Sequence, residues 1–253
     1  MRKLLLILIL CPSLSFAQFS ETINSDRPGQ ANGASTLGKN VFQIQSGYNL
    51  NTVKNGFSDM QNTNINNFFR FGLLERVELS ALVNYASVKT KGLQSESSLS
   101  DFNDLQLGAR FFLVENKGII PALAVQSSVL FKLPNSLFPR EKMGSNTIVA
   151  TTNQISEWLS FNSNWIFLQE GNAPLHTSYV ANISFTISER IGTFIEMYGA
   201  ISNYFTTSFD AGFSYLINND FQIDASAGIQ DNSYTDTDYF IDLGISWRTN
   251  WRK

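Results

Sequence analysis

The chain contains one histidine and one cysteine, too few for the Cys/His sets that hold zinc. His176 lies two residues before Ser178, and positions two apart on a strand share a face. The pair could act as base and nucleophile of a lipid hydrolase, with Asn162 or Asn182 orienting the imidazole. The parity of the segment turns both toward its polar face, whereas attack on a bilayer lipid needs the apolar one. A second set is a series of single charges in otherwise uncharged stretches: Arg70, Glu78, Asp104, Arg110, Lys132, Glu196, Asp210, Asp224, Asp242 and Arg248. A third is the run Ser25-Asp26-Arg27-Pro28-Gly29. There a guanidinium that can clasp a carboxylate with two N–H groups stands beside an aspartate able to accept backbone N–H groups and a Pro-Gly bend. The acidic run "DNSYTDTD" at 231–238 lacks the spacing and glycine of a dedicated calcium loop and reads as solvated chain. No glycine-rich phosphate loop opens a helix. Neither a metal nor a cofactor is expected.

The elements that must position these charges have a period of two. In "VFQIQSGYNL", Phe42, Ile44, Tyr48 and Leu50 alternate with Gln43, Gln45, Gly47 and Asn49, the pattern of a strand with one apolar and one polar face. It recurs in twelve segments, near 41–50, 62–72, 77–88, 104–113, 119–132, 147–155, 159–167, 176–187, 191–200, 206–215, 221–229 and 239–248; the sixth and seventh alternate least. Connections near 73–76, 114–118, 156–158, 188–190 and 216–220 are short. Those near 51–61, 89–103, 133–146, 168–175, 201–205 and 230–238 are mostly longer and polar. An even number of strands of about ten residues, with short turns at one end and longer loops at the other, is the signature of an antiparallel transmembrane β-barrel. A soluble sandwich or lipocalin-like barrel is the competing all-β fold.

Composition separates the two. Charged residues are only 15% of the chain, and the polar faces carry Gln, Asn, Ser and Gly in place of Lys and Glu. Aromatic residues stand near segment ends (Tyr48, Phe69, Phe71, Tyr85, Trp165, Phe167, Tyr179, Tyr215, Tyr239, Trp247), as in the girdles of a membrane barrel. With the apolar faces toward lipid, the single charges fall in the lumen. Glu196, Asp210, Asp224 and Asp242 then form an acidic wall from four consecutive strands, with Arg70 and Arg110 on the early strands. They would either fill the barrel as a salt-bridge network or line a selective path.

The N-terminus reads as an export signal: Arg2 and Lys3, the apolar run Leu4 to Leu10, and Ser15 and Ala17 before a cleavage point after residue 17. Cutting there removes the cysteine and two basic residues, leaving the chain more acidic than its formal charge of −3 and without the basic stripe of a nucleic-acid partner. Residues 18–40 form a segment before the 41–253 barrel, long enough to fold back into the lumen as a plug. Asp26, Arg27 and Pro28 are its key residues, and Arg27 is a natural partner for the acidic wall.

The stretch "INSDRPGQANGASTLGKNVFQIQSGYN" resembles the opening of the outer-membrane proteins grouped as the MetA-pathway phenol-degradation family, often called transporters. Asp26, Arg27, Pro28, Phe42, Gln43, Gly47 and Tyr48 match its pattern, with Ser25 in place of the usual Thr. "GLLERVEL" (72–79), "DLQLGARFFL" (104–113) and "FIEMYG" (194–199) extend the resemblance over the chain after the signal. It implies an outer-membrane β-barrel that passes small molecules, aromatic or hydrophobic ones among them, and it supplies no catalytic residues. The expected partners are outer-membrane lipid and a small-molecule solute. A lipid hydrolase and a non-conducting structural or adhesive barrel remain the alternatives.

Overall fold

The computed structural model describes residues 20–93, 95–202, 205–231 and 237–250. The expected signal at 1–17 lies outside them, as does most of the acidic run at 231–238. Twelve antiparallel strands form one closed barrel: β1 (Val41–Asn55), β2 (Ser58–Leu74), β3 (Val77–Gly92), β4 (Glu96–Val114), β5 (Ala122–Leu130), β6 (Gly144–Ser156), β7 (Leu159–Gln169), β8 (His176–Thr186), β9 (Ile191–Ile201), β10 (Ser208–Asn218), β11 (Phe221–Ile229) and β12 (Thr237–Asn250). Each strand pairs with its sequence neighbours. β12 returns to β1, from Val41 opposite Asn250 to Lys54 opposite Thr237.

Burial is the reverse of a soluble protein's. Arg70, Glu78 and Arg110 are 2%, 0% and 1% exposed, while Leu107, Phe209 and Leu243 are 51–52% exposed. The charged face is inside and the apolar face outside, which suits a hydrocarbon surround. Closure leaves no open sheet edge, the condition for strands to cross lipid. Around the outer face Tyr48 stands opposite Ile65, Ile65 opposite Tyr85, and Tyr85 opposite Phe102. The last two rings meet edge-on at 5.5 Å. This row is part of an aromatic girdle.

Two expected loops are strand. Residues 51–61 and 89–103 continue the ladders of β1–β2 and β3–β4, which close at Gly56–Phe57 and near Gly92–Ser95. Polar residues such as Asn51, Thr52, Lys54, Gln61, Lys89 and Ser98 stand on both faces there and apolar ones are sparse, so little alternation can be read. β1 to β4 are therefore 15–19 residues long, whereas β8 to β11 are 9–11, and one side of the barrel stands much taller. The weakly alternating β6 and β7 pair over almost their full length. Lys132 is not in the lumen: β5 ends at Leu130 and Lys132 is exposed in the loop beyond it.

Candidate functional site: a charged segment lodged in the barrel

Residues 20–40 lie inside the barrel, held by side chains from most of its strands. Asp26 is the hub on one side. Arg110 of β4 meets its carboxylate at 2.6 and 3.2 Å, and Arg70 of β2 at 3.3 Å. Arg70 also grips Glu78 of β3 through Nε at 2.6 Å and Nη2 at 2.9 Å. Arg110 donates to Gln126 of β5 and to the carbonyls of Gly33 and Ser35. Burial alone would push the Asp26 carboxyl up. The two guanidinium groups outweigh it and hold Asp26 below the usual aspartate range.

Arg27 turns to the opposite wall, where it donates to Asp242 and lies 3.2 Å from Asp224. Gln222 donates to its carbonyl at 3.1 Å. The room for its guanidinium comes from two glycines. Gly47 and Gly244 are direct partners across β1 and β12, and a Cβ on either would stand 2.7 or 2.5 Å from the Arg27 Cζ. Gly29 follows Pro28 with φ +95°, and a Cβ there would meet the Phe194 ring and Glu196. Only glycine fits both the turn and the space.

Backbone beyond the bend is fastened next. Glu196 of β9 accepts from the amides of Gln30 and Ala31, and from Asn182 of β8. Asn164 of β7 and Asn32 form a two-way pair: Asn32 N donates to Asn164 Oδ1 at 2.6 Å, and Asn164 Nδ2 donates to Asn32 O at 2.8 Å. Ala34 N donates to Thr152 of β6, and Leu37 N to Glu78. At the turn end, Arg248 of β12 donates to the carbonyls of Ser20, Glu21 and Thr22, and to Asp220 at 2.7 Å.

Of the inward charges read from sequence, Arg70, Glu78, Arg110, Glu196, Asp224, Asp242 and Arg248 therefore hold the segment. Asp210 stands opposite Glu196 on β10 and takes no hydrogen bond from the segment among the described residues. Asp104 lies higher, bound by Arg140 from the β5–β6 loop at 2.9 Å. Arg27 meets the acidic wall at Asp242 and Asp224. Sequence reasoning missed that Asp26 pairs with both Arg70 and Arg110. It also missed the carboxamides of Asn164 and Gln126, which nothing in a Gln/Asn-rich face marks out. Among the described residues His176 and Ser178 are not joined to a third member. Asn182 is six residues further along the strand, about 20 Å away at ~3.4 Å per residue, and is committed to Asn162 and Glu196.

The segment divides the interior. A cavity of about 660 Å³ on the turn side and one of about 570 Å³ on the loop side are both lined by Asp26 and Arg27.

The family model described as "Putative MetA-pathway of phenol degradation" matches residues 25–249. The chain belongs to this family. Among solved structures, an outer-membrane channel from Pseudomonas putida F1 is similar at 10% identity, covering 88% of this chain and 100% of that one with a TM-score of 0.63. The KdgM porin is similar at 11% identity, covering 81% and 98% with a TM-score of 0.55. The translocator domain of the autotransporter NalP from Neisseria meningitidis is similar at 10% identity, covering 84% and 89% with a TM-score of 0.51. A comparison with the curated proteins finds no match. These likenesses establish the fold of an outer-membrane β-barrel. The residues inside the barrel carry the argument about function.

Proposed function

We propose that this protein is a narrow outer-membrane channel for small solutes, closed at mid-height by residues 20–40. The observation that carries the reading is the pair of cavities meeting at Asp26 and Arg27. Each opens toward one end of the barrel, and a single stretch of chain separates them. A barrel serving only as a scaffold would be expected to fill its interior with wall side chains. Here the wall charges face a separate stretch of chain, residues 20–40. The signal at 1–17 delivers the chain to the periplasm. The short turns, the start of β1 and the end of β12 then face the periplasm, and the tall β1–β4 side faces outward, in keeping with barrels of this class. Twelve strands leave room for small molecules and none for folded cargo. The family's description, phenol degradation, supports counting a small hydroxylated aromatic among the candidate solutes.

The test is planar-bilayer conductance of the whole barrel against a chain lacking residues 18–38. The expected result is a small or absent conductance that rises on deletion. Silence in both forms would sink the channel reading.

A further inference from the structure

The docked segment leaves the two walls unequal. On the β2–β4 side the guanidinium groups of Arg70 and Arg110 meet the carboxylates of Asp26 and Glu78, two against two. On the β9–β12 side Arg27 brings one guanidinium to four inward carboxylates, those of Glu196, Asp210, Asp224 and Asp242. Arg248 is held at the turn end by Asp220 and three carbonyls. Asp210 is 6% exposed, and neither of its oxygens has a hydrogen-bond partner among the described residues. It stands inward beside Gly228, whose partner Phe240 is two residues from Asp242. Buried charge of one sign is costly without a partner, so this wall favours a cation.

The place where that cation sits is built for one shape. The Arg27 guanidinium lies against Gly47 and Gly244, where any Cβ would strike it. Asp242 accepts from it, and Asp224 stands 3.2 Å away. Bare backbone beside two carboxylates suits a planar group that donates through several N–H groups at once. A calcium ion takes six to eight oxygens, and no three acidic or histidine groups converge for a metal among the described residues. The slot can be reached: Asp242 and Arg27 line the loop-side cavity of about 570 Å³. Asp224 is wholly buried while Arg27 is seated.

We propose that this slot binds a small solute bearing a guanidinium group, which enters from the loop-side cavity, takes the place of Arg27 on Asp242 and Asp224, and so loosens the segment. The assignment deepens the channel reading, on which its biological use rests, by naming a class of solute that opens its own path.

The test is equilibrium titration of full-length barrels in detergent with methylguanidinium, tetramethylammonium and acetate. Arg27→Ala empties the slot and should bind methylguanidinium saturably, about tenfold or more tighter than the wild type, where the tethered Arg27 competes. Tetramethylammonium, which has no N–H groups, and acetate should not bind. Adding Asp224→Asn and Asp242→Asn to Arg27→Ala should weaken methylguanidinium by about tenfold or more. The wild type gives a measurement that needs no variant to fold. Methylguanidinium should speed hydrogen exchange at the amides of Gln30 and Ala31 beyond the effect of sodium chloride at equal ionic strength, and the rise should saturate. A folded Arg27→Ala that binds no methylguanidinium, equal binding of tetramethylammonium, a folded triple variant that binds as before, or exchange no faster than in matched salt would overturn the assignment. Binding is read without conduction. Silent bilayers with intact methylguanidinium binding would sink only the channel reading, and conduction without that binding only this assignment.

Discussion

At the scale of single residues, the interior rests on Asp26 and Arg27, adjacent in sequence and pointing at opposite walls. Asp26→Asn leaves Arg70 and Arg110 facing a neutral amide deep in the barrel. Breaking one partner of a buried pair costs about 3–5 kcal/mol, here charged against docking of the segment. Because the folded carboxyl titrates below its ordinary value, its contribution is complete above about pH 3.9 and fades as pH falls through the depressed value. Hydrogen exchange at the amides of Ala34 and Leu37 should therefore stay slow from neutral pH down to about pH 4 and quicken, beyond the intrinsic pH effect, only below it. In Asp26→Asn it should be fast at neutral pH. A second expectation concerns space. Gly47→Val places carbon where the Arg27 guanidinium lies, an overpacking worth about 1–3 kcal/mol. The same exchange measurement should show the segment loosened, and Gly244→Val should do likewise. A lumen-facing glycine that tolerated valine without loosening would mean that Arg27 is not seated there.

At the scale of elements, strands and segment differ in how they are held. The strands are held by ladders, so their existence depends on backbone pairing and an alternating face. The segment is held by side chains and has no period. Shortening the β1–β2 hairpin by removing Val53–Met60 takes away only ladder that rises beyond the aromatic row. The barrel should keep its heat-modifiable migration and its resistance to protease. This difference also governs what could be read in advance. Twelve strands were legible because Leu105, Leu107, Ala109 and Phe111 alternate with Gln106, Gly108 and Arg110. The upper halves of β1 to β4 were not, because Asn51, Thr52, Lys54, Gln61 and Lys89 are polar whichever way they face. In the site, the single charges were legible by their rarity in uncharged stretches, and Arg27 by its bend. The partnership of Asp26 with Arg70 and Arg110 was hidden because it links positions 44 and 84 residues apart, a separation only the closed sheet brings together.

At the scale of the whole molecule, the barrel is a polar interior wrapped in an apolar belt, and the belt can be challenged directly. Leu107 lies on the outer face about midway between Phe102 and Phe111. Leu107→Arg puts a charge near the centre of the hydrocarbon and should destabilise the barrel by about 2–4 kcal/mol, read as a lower denaturant midpoint in lipid vesicles. An arginine in place of Thr52, on the outer face above the girdle, should cost almost nothing. The uneven height of the wall has one more consequence. A strand needs about 9–11 residues to cross a bilayer, and β4 has 19, so the β1–β4 side continues well past the membrane as paired sheet. In the proposed orientation, an antibody or a phage tail approaching the cell would touch this mast first. Its surface is a mosaic assembled from four strands, Thr52 beside Gln61 beside Lys89 beside Ser98. A receptor that recognises that mosaic reads the folded shape, and no peptide cut from the chain would carry the same epitope.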